Sequence, residues 1–276
     1  MYKKIALAIA FSPTIEALLC EVKRLKKIHQ AILIFIHIGE ESEENKMLLN
    51  SLMERNQIDK KEIKIVWKKG KPAKKILQIC YNEGVDLLVA GAQKKEGLFT
   101  YYMGSLARKI IRKANCSVLI FIEPSTTPRP FKKVVINGIQ QPQTPFVIKR
   151  AIEFCKLEMS NRIFILNEIK MYGLQMATAG VGSEEEISKF REKLVNDEIA
   201  YVKNILEDLE TGNLPINIKI GTGRWTTELA KFSENIQADL LVVGGQDNLS
   251  FFDRLFPHDL EDLLINLPCN VLILKN

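Results

Sequence analysis

The residues of this 276-residue chain best suited to chemistry lie in its first half. Gly91 ends a short apolar run, and Gly104-Ser105 opens a helical pattern downstream, with Lys94 between them. Glycine lets a backbone approach a phosphate closely, a helix start directs free N–H groups outward, and a serine hydroxyl can donate to an anion. The plainer alternative is a flexible loop whose Ser105 only caps the helix. Elsewhere the reactive residues are scattered. His29, His37 and His258 stand far apart, and Cys20, Cys80, Cys116, Cys155 and Cys269 contain no CxxC pair. That pattern indicates buried free thiols rather than a zinc site or a disulfide framework. His258 has only Asp259 beside it and is read as a polar residue at a helix start, not as a base. No nucleophile, carboxylate pair or metal cluster stands out, so no catalytic residue and no metal ligand is assigned.

The elements that position these residues belong to a folded chain: 46% of residues are hydrophobic and 26% charged, the proportions of a packed core under a charged surface. No apolar stretch approaches the ~20 residues of a membrane span, and the opening Met1-Tyr2-Lys3-Lys4-Ile5 has no signal-peptide pattern, so a cytoplasmic protein is expected. Charge is uneven. Residues 1–123 carry a balance of +9 and residues 124–276 one of −3. The basic half favours an anionic partner or is a solvated lysine-rich surface. Nucleic acid is disfavoured because the lysines are spread over several segments and no recognised binding motif is present.

The chain repeats itself. Val85-Asp86-Leu87-Leu88-Val89-Ala90-Gly91 returns as Ala238-Asp239-Leu240-Leu241-Val242-Val243-Gly244, an offset of 153 residues that also carries Cys116-Ser117-Val118-Leu119-Ile120 onto Cys269-Asn270-Val271-Leu272-Ile273 and Gly70 onto Gly223. Tyr2-Lys3-Lys4-Ile5 matches Phe131-Lys132-Lys133-Val134 at an offset of 129, which leaves 24 additional residues in the second copy. Two copies of one unit result, residues 1–123 and 131–276, joined by a proline-rich linker at 124–130.

Each copy alternates short apolar runs with helical periodicity. In the first, strands are expected at Ile5–Ala10, Ala31–Ile38, Ile63–Trp67, Leu87–Ala90 and Val118–Ile122, and helices at Pro13–Lys27, about 43–57, Pro72–Glu83 and Ser105–Lys113. Five such alternations predict an α/β fold with a five-stranded parallel sheet covered by helices in each copy. In the second copy, Ser183-Glu184-Glu185-Glu186 forms a capping box for a helix to about Leu209. The segment Met171–Gly182 before it reads as a loop. In such a sheet, ligands bind beyond the carboxyl ends of the strands, which singles out the turns after Ala10, Ile38 and Ala90.

Gly91 with its loop, Gly104-Ser105 and Cys116-Ser117-Val118-Leu119-Ile120 together resemble the closing segment of the universal stress protein family. Tyr2-Lys3-Lys4-Ile5 through Phe11-Ser12 resembles its opening, and Gly70-Lys71-Pro72-Ala73 its turn before the third helix. The resemblance extends over nearly all of both halves. It implies two tandem sandwiches of the adenine nucleotide alpha hydrolase type, packed as an internal pseudo-dimer in which Val118–Ile122 pairs with Val271–Leu274. A homodimer of whole chains is the further assembly it admits. The family's nucleotide-binding branch carries Gly-x2-Gly-x9-Gly-Ser/Thr around the phosphates and an Asp at the end of the first strand. Here Gly91, Gly104 and Ser105 match, Lys94 replaces the second glycine and Ala10 replaces the Asp. Ile38 falls where the family contacts adenine through backbone. The implied ligand is ATP or AMP, in the first copy only. In the second copy Lys94 becomes Asp247, Gly104 becomes Pro257 and Ser105 becomes His258. Asp253 and Asp259 add negative charge, and proline removes an N–H donor.

Three functional classes remain. One is a stress-response binding or regulatory protein with a nucleotide in its first copy. The second is an interaction protein, its partner unidentified, that has kept the fold and lost the nucleotide. An enzyme is the least favoured. The aromatic groups Phe99, Tyr101, Tyr102 and Phe251, Phe252, Phe256 are expected to pack beneath loops or at an interface rather than stack on bases.

Overall fold

The computed structural model describes residues 1–94, 101–102, 104–169, 184–222, 224–245, 263 and 267–276. Its packing forms two compact units, residues 1–130 with 245–276, and residues 131–244.

The first unit opens with β1 (Lys4–Ile9), α1 (Ile15–His29), β2 (Ile32–Ile38), α2 (Glu43–Arg55), β3 (Ile63–Lys68), α3 (Pro72–Glu83) and β4 (Leu87–Gly91). A small antiparallel pair, β5 (Gln93–Lys94) and β6 (Tyr101–Tyr102), precedes α4 (Ser105–Lys113) and β7 (Ser117–Phe121). The helices start and stop where local chemistry requires. Ser42 accepts the N–H of Asn45 at the head of α2. Pro72, with no N–H to satisfy, opens α3, and Gly84 closes it at φ 63°. The α1 residues Leu18, Leu19, Val22 and Leu25 form the buried stripe that seats that helix on the sheet.

The second unit contains β8 (Lys133–Asn137), α5 (Thr144–Glu158), β9 (Arg162–Glu168), α6 (Glu184–Glu207), β10 (Ile216–Gly221), α7 (Trp225–Asn235) and β11 (Leu240–Gly244). The chain's last strand, β12 (Asn270–Leu274), belongs to the first unit.

Strand order in the first unit is β12-β7-β4-β1-β2-β3, and in the second β10-β9-β8-β11. The α/β architecture expected from the alternation is present, and every paired strand within these two orders runs parallel except β12. That strand lies antiparallel on β7, with Val271 opposite Ile120 and Ile273 opposite Val118, so the two segments expected to be neighbours are paired. Five strands per copy become six in one packing unit and four in the other, because β12 comes from the second sequence copy and completes the first unit. Both faces of the central strands are covered: Ile5, Ala6 and Leu7 are all buried, as are Leu87, Leu88 and Val89. Each such Leu or Ile contributes about 1.5–3 kcal/mol by leaving water.

Candidate functional site at the carboxyl edge of the first sheet

Because β1 lies between β2 and β4, the positions following these three strands come side by side at one edge. Ala10 is exposed there, its carbonyl accepting the N–H of Ser12 at 2.8 Å. Its methyl side chain supplies no acceptor. Ile38 ends β2 opposite Lys68 of β3, and the next N–H, from Gly39, is bonded to the Lys68 carbonyl at 3.0 Å. Gly91 ends β4 opposite Phe121. Lys94 sits in β5, paired with Tyr101 of β6, so a short hairpin stands where the sequence indicated only a loop.

Gly104 is the N-cap of α4 and Ser105 its first helical residue, exposed. The capping role proposed for Ser105 therefore falls to Gly104, which has no side chain to fold back. The first-turn N–H groups of α4 have no intrahelical partner, and the helix dipole adds partial positive charge at this end. Arg108, Lys109, Arg112 and Lys113 follow on the same helix, which contains no carboxylate. Arg108 lies one turn beyond Ser105, and its Nε is buried with no hydrogen-bond partner among the described residues.

Gly91 has a second reason to be glycine. A β-carbon there would lie 3.2 Å from Cδ1 of Leu18 in α1, and one at Gly244, the equivalent position in the second copy, 2.9 Å from Cγ2 of Val147 in α5. Helix-to-sheet packing selects glycine at both, so Gly91 by itself does not mark a phosphate site.

An aromatic trio missed by motif reading lies at the same edge. The ring of His37 sits 5.0 Å from Phe11 and 4.9 Å from Trp67, while Phe11 and Trp67 lie 6.1 Å apart and nearly parallel. Nδ1 of His37 is 3.1 Å from the carbonyl of Ile9. Gly39 makes room for the ring, since a β-carbon there would fall 2.4 Å from its Nε2. The available signal was positional: His37 and Trp67 are the penultimate residues of adjacent expected strands or their last, and Phe11 directly follows the first.

The corresponding edge of the second unit is occupied by the chain's own side chains. Ile139, the position matching Ala10, is buried; its N–H is capped by Asn137 at 3.2 Å and its carbonyl accepts the hydroxyl of Thr144. Asn167, near the end of β9, donates to Glu198 of α6 at 2.7 Å. Burial raises the phenol of Tyr201, one turn along α6, above the usual range, with Thr144 acting in the opposite direction. The long helix of the enlarged second copy thus supplies groups that satisfy this edge internally.

Several sequence readings fall outside the described residues: Gly97, Phe99, the Met171–Gly182 segment, Gly223, Asp247, Phe251, Phe252, Asp253, Phe256, Pro257, His258 and Asp259, together with the side chains of Lys94, Tyr101 and Tyr102. Among the described residues, no group of three or more His, Cys, Asp or Glu is arranged to hold a metal ion, and no helix is long and apolar enough to cross a membrane.

Comparison with known proteins agrees with this geometry. A family profile described as "Universal stress protein family" matches residues 1–121. Universal stress protein MJ0577 of Methanocaldococcus jannaschii is 30% identical over 153 residues, covering 44% of this chain and 94% of that protein. Universal stress protein YxiE of Bacillus subtilis is 27% identical over 146 residues, covering 44% of this chain and 99% of its own length. Two solved structures span 99% of this chain and show its fold. One is a functionally unknown Pseudomonas aeruginosa protein, 14% identical, with TM-score 0.73 and 92% of its chain covered. The other is a universal stress protein from Archaeoglobus fulgidus, 13% identical, with TM-score 0.61 and 96% covered.

Proposed function

The chain belongs to the universal stress protein family, and from that premise we propose that it is a non-catalytic binding and regulatory protein of the cytoplasm, with one adenine nucleotide site formed by the first of two sequence copies, residues 1–123 and 131–276. The observation that carries this reading is Ser105, exposed at the first position of a helix without carboxylates and one turn before Arg108. Phosphate oxygens of ATP or AMP would receive the amides and hydroxyl at Gly104-Ser105, with Gly91 and Lys94 on the flanking strand and hairpin. The adenosine end would lie over Ala10 and the Ile38 backbone. Preorganised donors at a helix start bind an anion with little reorganisation, and the basic residues that follow raise its local concentration. In the second copy the matching groups are satisfied by Asn137, Thr144 and Glu198, which supports a single site per chain.

Isothermal titration of ATP, AMP and cyclic AMP into the intact chain and Ser105→Ala tests the proposal. Saturable heat near one nucleotide per chain, weakened in the variant, supports it. Absence of heat for all three overturns it in favour of the second reading, an interaction protein that has kept the fold and lost the ligand. Ala10 favours that second reading, because alanine offers the ribose no acceptor.

A further inference from the structure

His37 places a hydrogen-bond acceptor beside the alanine at the end of β1. Its Nδ1 lies 3.1 Å from the carbonyl of Ile9, the last residue of that strand and the neighbour of Ala10. A carbonyl oxygen can only accept, so the neutral ring carries its proton on Nδ1 and leaves a lone pair on Nε2. Nε2 has no hydrogen-bond partner among the described residues. It faces the turn after β2, where a β-carbon on Gly39 would fall 2.4 Å from it. Glycine at that position keeps the lone pair clear. Edge-on and tilted contacts with Trp67 and Phe11, at interplanar angles of 62° and 57°, hold the ring in this pose.

We propose that Nε2 of His37 is the acceptor that reads a ribose hydroxyl of the bound nucleotide, an inference that rests on the nucleotide reading above. Adenosine carries an exocyclic amine and the ribose hydroxyls as donors. In that reading the amine falls to the Ile38 backbone, and Ala10 offers the hydroxyls no acceptor. His37, tied to the end of β1 through Ile9, supplies the lone pair from the adjacent strand. The amides and hydroxyl at Gly104-Ser105 hold phosphates whatever the sugar, whereas an acceptor fixed by ring packing discriminates against a ligand that lacks the hydroxyl. The second copy has spent the equivalent group. Lys4 pairs with Ile32 and Lys133 with Arg162, so counting along the strands puts Asn167 in the place of His37. Its side-chain oxygen accepts the N–H of Glu168 at 2.9 Å, and its amide donates to Glu198 at 2.7 Å.

The test titrates the full chain with ATP and with dideoxy-ATP, which keeps the base and phosphates and lacks both ribose hydroxyls. The parent should bind ATP about 3- to 10-fold more tightly than the analogue, the range for one neutral hydrogen bond. His37→Phe keeps an aromatic ring against Phe11 and Trp67 and should bind the two equally. A merely structural role for His37 would weaken both nucleotides alike and leave their ratio standing. If His37→Phe fails to fold, Gly39→Ala takes its place, because the added carbon displaces Nε2 and should erase the same ratio. Nitrogen NMR of the isotope-labelled, nucleotide-free chain at about pH 8, where an unperturbed imidazole is neutral, reads the tautomer directly and should show the proton on Nδ1. Equal affinities in the parent, a ratio that survives in the variant, or a proton on Nε2 would overturn the role of His37 alone. No binding of either nucleotide would overturn the nucleotide reading and this inference with it.

Discussion

Asp86 takes the backbone N–H of Lys4 at 2.8 Å, while the Lys4 ammonium reaches the carbonyl of Glu83 at 2.6 Å. The same carboxylate oxygen accepts the N–H of Lys3 at 2.7 Å. The second copy repeats the arrangement: Asp239 accepts the N–H groups of Lys132 and Lys133 at 2.8 and 2.7 Å, and the Lys133 ammonium reaches the carbonyl of Ile236 at 3.1 Å. In each copy this fastens the head of the first strand to the turn before the fourth, so the aspartate retained at the 153-residue offset has an architectural role. Hydrogen bonds to a charged acceptor contribute about 1.5–3 kcal/mol. Asp86→Ala and Asp239→Ala are each expected to lower unfolding free energy by about 2–4 kcal/mol in urea titrations. A loss under about 0.5 kcal/mol in both would remove the anchoring role.

Ser105→Ala should weaken ATP about 10- to 100-fold, the range for one hydrogen bond to a charged group. Ala10→Asp should tighten it by restoring an acceptor at an exposed position. Calorimetric affinities for the two variants, read against the parent chain, decide both directions.

Trp67 gives an optical readout of the same edge. In a Trp225→Phe background the remaining indole contacts His37 and stacks near Phe11, and bound adenine should change its emission with a midpoint equal to the calorimetric one. Emission unmoved at saturating ATP would place the base elsewhere.

Gly244→Ala should destabilise more than Gly91→Ala, since the added carbon meets Val147 at 2.9 Å in one case and Leu18 at 3.2 Å in the other. Overpacking costs about 1–3 kcal/mol. Denaturant midpoints that ranked the two in reverse would contradict the packing account of these glycines.

Burial pushes the Cys155 thiol up to about 12 from 9.0. A raised folded value means that its stabilising contribution is complete below about pH 9 and is lost as pH rises through about 12. Over that window unfolding free energy should fall by up to about 1.4 kcal/mol per pH unit for this one proton. Cys155→Ala should flatten the alkaline slope, whatever it does to stability at neutral pH.

Much of this protein is written locally. The duplicated Val85–Gly91 and Ala238–Gly244 runs, Pro72 and Gly84 bounding α3, and the apolar stripe of α1 are properties of neighbouring residues and periods of 2 and 3.6, so strands, helices and the repeat follow from the sequence. The tertiary structure decided what depends on residues far apart in the chain. Only the register of β12 on β7 places Val271 against Ile120, and only sheet order gathers Phe11, His37 and Trp67. Leu18 becomes the neighbour that requires glycine at position 91, and Glu198 the group that occupies Asn167. Side-chain neighbours across a sheet are fixed by pairing and packing, which no single segment encodes.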